Sequence, residues 1–177
     1  LRPDALDAII ALRDQGVDHI AMLTGDNDCA ARAVADKLGL DRYDADLLPE
    51  EKVTVFEKIG RDRPNGKIAF VGDGINDAPV IARADVGLAM GALGSDAAVE
   101  TADVVLITDT PRKMAEAVAI AKQTRRVVWQ NILLAFAVKG VFLSFGAFGL
   151  ATMWEAVFAD VGTALLAVAN ATRILRG

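Results

Sequence analysis

Apolar positions recur at helical spacing in the first fifteen residues: Leu6, Ile9, Ile10 and Leu12 lie along LRPDALDAIIALRDQG. The pattern predicts a helix that already includes Leu1 and is closed by Gly16. A short apolar run, HIAMLT (19–24), reads as a buried strand that ends in the turn GDN. Residues 28–38 are predicted helical, with Gly39 closing the helix. Asp44–Leu48 is a short link or strand, Glu50–Ile59 an amphipathic helix, and KIAFV (67–71) the second clear strand. Further on come a short helix (Asn76–Arg83) and two more strands, VGLAM (86–90) and VVLI (104–107). Between those strands GSDAAVE (94–100) starts a helix with Ser95 as its N-cap.

Strands alternating with helices in this rhythm predict an α/β fold, a parallel sheet with helices on both faces. The strands are short and continuously apolar, as a sheet covered on both sides requires. In such sheets ligands bind at the carboxyl ends of the strands. The turns TGDN (24–27) and GDGIND (72–77) both lie at such ends, so they are expected on one rim.

The pattern changes beyond Trp129. From there to Thr172 the only charged residues are Lys139, Glu155 and Asp160. Two stretches, about 131–150 and 154–172, are each near the twenty apolar residues needed to cross a bilayer. A connecting helix over 111–128 leads into them, and the short break at Ala151–Thr152 makes them a hairpin. The expected organisation is a soluble part over 1–110, the connector, and a membrane hairpin over 129–177. Lys122, Arg125 and Arg126 precede the first span while Arg173 and Arg176 follow the second, so both ends face the cytoplasm. Trp129 and Trp154 stand where interface anchors belong. A soluble bundle with two buried helices is the alternative. Lys139 and Asp160 fall near the middles of their spans, where a bare charge costs about 2.5–3.5 kcal/mol. In an antiparallel hairpin they reach similar depth and pair. Glu155, at the membrane edge, is expected to be solvated, and Gly140, Gly146, Gly149 and Gly162 to permit close helix packing.

Composition agrees with this division. The chain is 53% hydrophobic with a mean hydropathy of +0.34, an excess concentrated in the tail. A net charge of −5 argues against a nucleic-acid partner. The single cysteine, Cys29, excludes a disulfide framework or a cysteine-based zinc site within the chain and reads as a small buried filler. His19, the only histidine, opens a strand away from the acidic rim and reads as structural. The chain begins without Met and inside a helical pattern, which reads as a piece of something longer, and no signal peptide is visible.

The rim carries the chemistry. Asp73 and Asp77, crowded at a strand end, repel one another unless a cation joins them. Mg²⁺ takes oxygen ligands, typically one or two carboxylates together with a phosphate. Gly72 and Gly74 let the backbone approach closely, and Asn76 adds an amide. Thr24, Gly25 and Asp26 offer a hydroxyl and backbone N–H groups to a phosphoryl oxygen. Lys52, in PEEK (49–52), supplies a compact positive charge. Taken singly, TGDN is an ordinary turn, Lys52 a solvated helix residue, and Asp26 and Asp77 helix caps. Taken together they suit phosphoryl transfer.

GDGINDAP with TGDN and PEEK resembles the phosphorylation domain of P-type ATPases, a branch of the haloacid-dehalogenase superfamily. The resemblance implies that Asp73 holds Mg²⁺ and that Asn76 and Asp77 order the site around a phosphorylated aspartate. It further implies that Thr24, Gly25 and Asp26 contact the phosphoryl group and position water, while Lys52 neutralises charge. ATP would be bound mainly by a domain absent from this chain. The family's nucleophile motif, Asp-Lys-Thr-Gly-Thr, does not occur here, so the isolated chain is expected to be inactive.

The tail resembles the last two helices of the pumps that export zinc, cadmium or lead, through KGVFL (139–143) and ADVGTALL (159–166). That implies Asp160 as a ligand of the transported metal and Lys139 as its counter-charge. It also implies a missing N-terminal part of the same pump, a lipid bilayer as partner, and a multi-pass place in the plasma (inner) membrane with residues 1–128 cytoplasmic. The choice among Zn²⁺, Cd²⁺ and Pb²⁺ stays open. Two other readings stand beside the pump: a membrane-anchored phosphatase of the same superfamily, and a truncated, non-catalytic membrane partner.

Overall fold

The computed structural model describes residues 4–63, 66–72, 75–91, 96–108, 110–149 and 152–176. The chain forms two compact units, Leu1–Glu116 and Ala117–Gly177. In the first, helices and strands alternate: α1 (Ala5–Asp14), β1 (Ala21–Leu23), α2 (Asp28–Leu38), β2 (Arg42–Asp44), α3 (Pro49–Asp62) and β3 (Ala69–Gly72). A 3-10 turn (Ile75–Asp77), α4 (Ala78–Ile81), β4 (Val86–Met90), α5 (Asp96–Thr101) and β5 (Val104–Leu106) complete it. Every strand pair is parallel, in two ladders. β1 pairs with β2, Ala21 opposite Arg42. β4 lies between β3 and β5, with Val71 opposite Leu88 and Ala89 opposite Val105. Parallel neighbours need crossover connections, which is why a helix follows each strand but the last of this unit.

The ends of the elements have local causes. Asn27 is extended and its side chain accepts the Ala30 N–H, which starts α2; Gly39 at φ 62° ends it. α1 starts at Ala5, and Gly16 lies just past its last turn at φ 77°. Its buried residue is Ala8, whereas Leu6 and Ile10 are exposed. α3 begins at Pro49, whose missing N–H costs nothing there, and the Glu51 carboxylate accepts the Leu48 N–H at 2.8 Å. β1 starts at Ala21, two residues after His19, which instead stands beside Asp41 and Arg63. The expected segment 44–48 pairs earlier, as Arg42–Asp44, because the chain turns away at Asp46, which has φ 54°. The proposed cap Ser95 lies outside the described residues.

The core of this unit is small. Val80 and Ile81 of α4 are fully buried, and Ile81 meets Ala89 with Phe70 and Ala102 around them. The approach is possible because β4 carries Gly87: a Cβ there would lie 2.7 Å from the Ile81 carbonyl oxygen. α3 is fixed on β3 by Phe56 against Phe70, edge to face at 5.7 Å. Burial is uneven, continuous only through the middle of β4. Cys29 is exposed, not buried filler, because the first turn of α2 points it outward.

The second unit is helical: α6 (Arg112–Ala147), α7 (Met153–Ala171) and a 3-10 turn (Thr172–Arg176). Both helices are long and apolar enough to cross a membrane, and both leave most side chains exposed, Leu133, Phe136 and Phe158 among them. Residues 131, 134, 135 and 138 of α6 are half-buried; on α7 Thr163 is buried and 159, 167 and 170 are half-buried. These spacings mark one stripe on each helix. Glu155 is not merely solvated: its carboxylate accepts the Thr152 N–H at 2.8 Å and starts α7. Nor do the glycines close-pack as expected. A Cβ on Gly140, Gly146, Gly149 or Gly162 would meet nothing within 4 Å among the described residues.

Three aspartates just ahead of strands secure the strand starts. Asp41, before β2, accepts the Ile20 N–H at 2.7 Å. Asp85, before β4, accepts the Ile68 N–H at 3.0 Å, and Asp103, before β5, accepts the Gly87 N–H at 2.8 Å. Each carboxylate thus holds the beginning of the neighbouring strand. The Ile20 N–H, aided by the Arg13 guanidinium, holds the Asp41 carboxyl below the usual carboxylate range; Lys67 and the Ile68 N–H do the same for Asp85. A lowered folded pKa means stability that is complete above the ordinary value, about 3.9, and lost as pH falls through the folded one. Asp41→Asn, measured by thermal unfolding of the chain in detergent, is expected to lower Tm at pH 7. The gap to wild type should close on acidification towards pH 3; a gap independent of pH would remove the carboxylate charge from the account.

Candidate functional site

Asp77 and Lys52 meet at the carboxyl end of β3. Lys52, Phe56 and Ile59 share a face of α3, because residues three and four apart on a helix align. Phe56 and Ile59 are buried, so the face turns inward and Lys52 with it. Its Nζ lies 2.8 Å from Asp77 Oδ1, and the two side chains are only 16% and 14% exposed. Asp77 stands at the N-cap position of α4 yet makes no cap hydrogen bond; its carboxylate faces Lys52 instead. What lets it lie against the strand is Gly72, where a Cβ would fall 2.5 Å from the Asp77 Cβ. Asn76, beside it in the 3-10 turn, is exposed.

The second turn is built separately. Thr24 N–H donates to the Asp44 carbonyl, extending the β1–β2 ladder by one bond. The Thr24 hydroxyl then accepts the Asp26 N–H at 3.1 Å and tightens the turn. Asp26 caps no helix, since Asn27 holds that place. The turn is tied to the chain that leads into α3: the Asp46 N–H donates to the Asp26 carbonyl at 2.8 Å and the Leu47 N–H to the Thr24 carbonyl at 3.1 Å. A Cβ on Gly25 would crowd the Leu47 carbonyl at 3.2 Å. Asp46 itself was not singled out by the sequence; its positive φ and its bond from the Asp28 N–H have no one-dimensional signal beyond an aspartate in a polar loop.

The structure thus joins Lys52 directly to Asp77 and ties Thr24, Gly25 and Asp26 to the loop entering the helix of Lys52. Asp73 and Gly74 lie outside the described residues. The donor set fits Mg²⁺: carboxylate and amide oxygens, one carboxylate fixed by an ammonium, and a strand end cleared of side chains by Gly72.

In the second unit Lys139 Nζ lies 3.2 Å from Asp160 Oδ1, so the two central charges of the apolar helices face one another. Beside them is a cavity of about 460 Å³ walled by Val138, Phe142, Val157 and Ala159. Each helix also carries a hydroxyl bonded to its own backbone: Thr163 donates to the Ala159 carbonyl at 2.7 Å and Ser144 to the Gly140 carbonyl at 2.8 Å. An amide cluster of Gln130, Asn131 and Asn170 also links the helices. Its sequence signal is isolated amides within or at the edge of apolar spans.

A family model for haloacid dehalogenase-like hydrolases matches residues 1–85. The zinc-transporting ATPase of Synechocystis sp. is 59% identical over 176 residues, which are 99% of this chain and 24% of that protein. The cadmium, zinc and cobalt-transporting ATPase of Bacillus subtilis is 57% identical over 177 residues, 99% of this chain and 25% of that protein. A crystal structure of a zinc-transporting PIB-type ATPase in an E2·Pi state superposes with a TM-score of 0.91 at 43% identity, covering 99% of this chain and 28% of the other. The chain spans about a quarter of the length of these relatives.

The Lys52–Asp77 contact has a testable weight. Lys52→Ala leaves a largely buried carboxylate without its partner, which costs about 1–3 kcal/mol. Lys52→Ala combined with Asp77→Asn should recover part of that loss in denaturant unfolding. Equal loss in the single and double variants would show that the two side chains do not interact.

Proposed function

Because the chain belongs to the heavy-metal-transporting P-type ATPases, we propose that it forms part of an ATP-driven membrane pump exporting divalent soft metal ions, Zn²⁺, Cd²⁺ or Pb²⁺. The pump works through an aspartyl-phosphate whose nucleophile lies outside these residues. The observation that carries the reading is the Lys139–Asp160 pair at 3.2 Å, within two helices that are otherwise apolar through their middles. A membrane anchor for a phosphatase needs no such pair, and two charges at that depth are costly unless they serve a purpose. A carboxylate is a suitable ligand for a divalent cation, and the neighbouring ammonium replaces the metal's charge once it leaves.

In the first unit the roles are those the family resemblance implies, supported for Lys52 and Asp77 by their contact. Asp73 and Asp77 hold Mg²⁺, which when bound neutralises charge on the phosphoryl group. Lys52 is held by Asp77 in a fixed, half-dry position from which its ammonium meets a phosphoryl oxygen without a reorganisation cost. The Thr24 hydroxyl, whose oxygen accepts the Asp26 N–H within one tight turn, keeps its own hydrogen for a phosphoryl oxygen, and Gly25 leaves room for the phosphate between Thr24 and Asp26. Asn76, exposed next to Asp77, orders the substrate side of the site. ATP is bound chiefly by parts of the pump beyond this chain. The basic residues flanking both spans support a cytoplasmic side for residues 1–128, in a pump of the plasma membrane.

Two measurements test the reading. Asp160→Ala in the intact pump should abolish metal-stimulated ATP hydrolysis while the protein still folds and inserts; full activity would take Asp160 out of the transport site. The 177-residue chain by itself, incubated with ATP and Mg²⁺, should form no hydroxylamine-sensitive phosphoenzyme, and trapping one would place a nucleophile within it.

A further inference from the structure

We propose that Asn131 and Asn170 are positioning residues that set the register of α6 against α7 and so hold Lys139 opposite Asp160. The Asn131 side-chain amide donates to the Ala167 carbonyl at 3.1 Å, and its oxygen accepts from Asn170 Nδ2 at 2.9 Å. Asn170 Nδ2 also lies 3.2 Å from Gln130 Oε1, and its oxygen accepts from Arg173 at 3.4 Å. Both ends of both amides are therefore in use.

The apolar stripes cannot do this work. Leu134, Ala135 and Val138 run along one helix and Ala159, Thr163 and Ala167 along the other. The residues from α7 are small, so the stripe is smooth, and the glycines make no interlock. In lipid no hydrophobic force presses the helices together, so a smooth stripe slides at little cost. An asparagine set in the seam is a device that fixes register, because a slip strands its amide away from its partners. The spacing agrees. From Asn131 to Lys139 is eight residues, about 12 Å, and from Ala167 to Asp160 seven, about 10.5 Å. The amide cluster and the ion pair thus tie the antiparallel helices at two matched levels. A slip of one helical turn, about 5.4 Å, would part a pair now 3.2 Å apart.

The inference rests on the transport reading only for its functional consequence. In the full-length pump in nanodiscs, spin labels at Phe142 and Val157, which face the cavity beside the pair, report the register directly. Asn131→Leu and Asn170→Leu should each weaken the dipolar broadening between them, and Asn170→Gln should restore part of it. Asn170→Leu should also raise the metal concentration for half-maximal ATPase activity up to about tenfold, the range of one or two lost interhelical hydrogen bonds. Turnover at saturation should stay within about twofold. In a Lys139→Ala background the same change should add nothing. Unaltered broadening in both leucine variants overturns the proposal, as does an equal metal shift with and without Lys139. If instead Asp160→Ala leaves the metal dependence intact, the transport reading falls, and the dipolar spectra still decide the register.

Discussion

The candidate site of the first unit depends on a missing side chain. Gly72 ends β3 with nothing beyond its Cα, and Asp77, five residues later, folds back into the space. Any other residue there would drive Asp77 outward and with it the only described partner of Lys52. That lysine is in turn aimed by Phe56, which anchors α3 on Phe70 one residue pair before the strand ends. One glycine, one aromatic contact and one ion pair therefore convert three separate elements into a fixed charge arrangement. The ammonium is thereby held in place before any ligand arrives, so it would meet one without first having to be ordered.

The same fold separates its carboxylates by purpose. Asp41, Asp85 and Asp103 sit at the beginnings of strands and spend their oxygens on neighbouring N–H groups. Asp77 sits at a strand end and is held by a lysine. In a parallel sheet all strands share a direction, so one edge gathers starts and the other gathers ends. The described carboxylates thus divide into strand-start clamps on one edge and a strand-end aspartate paired with a lysine on the other.

Much of this was legible in the chain. Helix 28–38 and strand 86–90 have the predicted limits, because Gly39 and the apolar run VGLAM leave no alternative. The Lys139–Asp160 contact followed from two charges at equal depth in antiparallel helices. What escaped depends on neighbours rather than on the local string. The limits of β2 are set by Asp46 in a left-handed conformation. The exposure of Leu6 and Cys29 reflects which side of a helix finds a partner, and periodicity alone does not choose the side. The aspartate strand clamps are written as L-D-R, A-D-V and A-D-V, yet their meaning appears only when the neighbouring strand start is in place. Asn131 and Asn170 belong to the same class: 39 residues apart, they acquire a role when the hairpin closes.

The pairing within that hairpin also bears on how the chain reaches its membrane. Presented to a bilayer alone, α6 would carry an uncompensated ammonium and α7 an uncompensated carboxylate, each opposed by about 2.5–3.5 kcal/mol. Joined by a turn of a few residues, the helices bring salt partner and amide partners within reach as soon as both have left the insertion machinery. The spans are thus suited to partition as a couple rather than one after the other. Biogenesis by itself would then select for charges at matching depth.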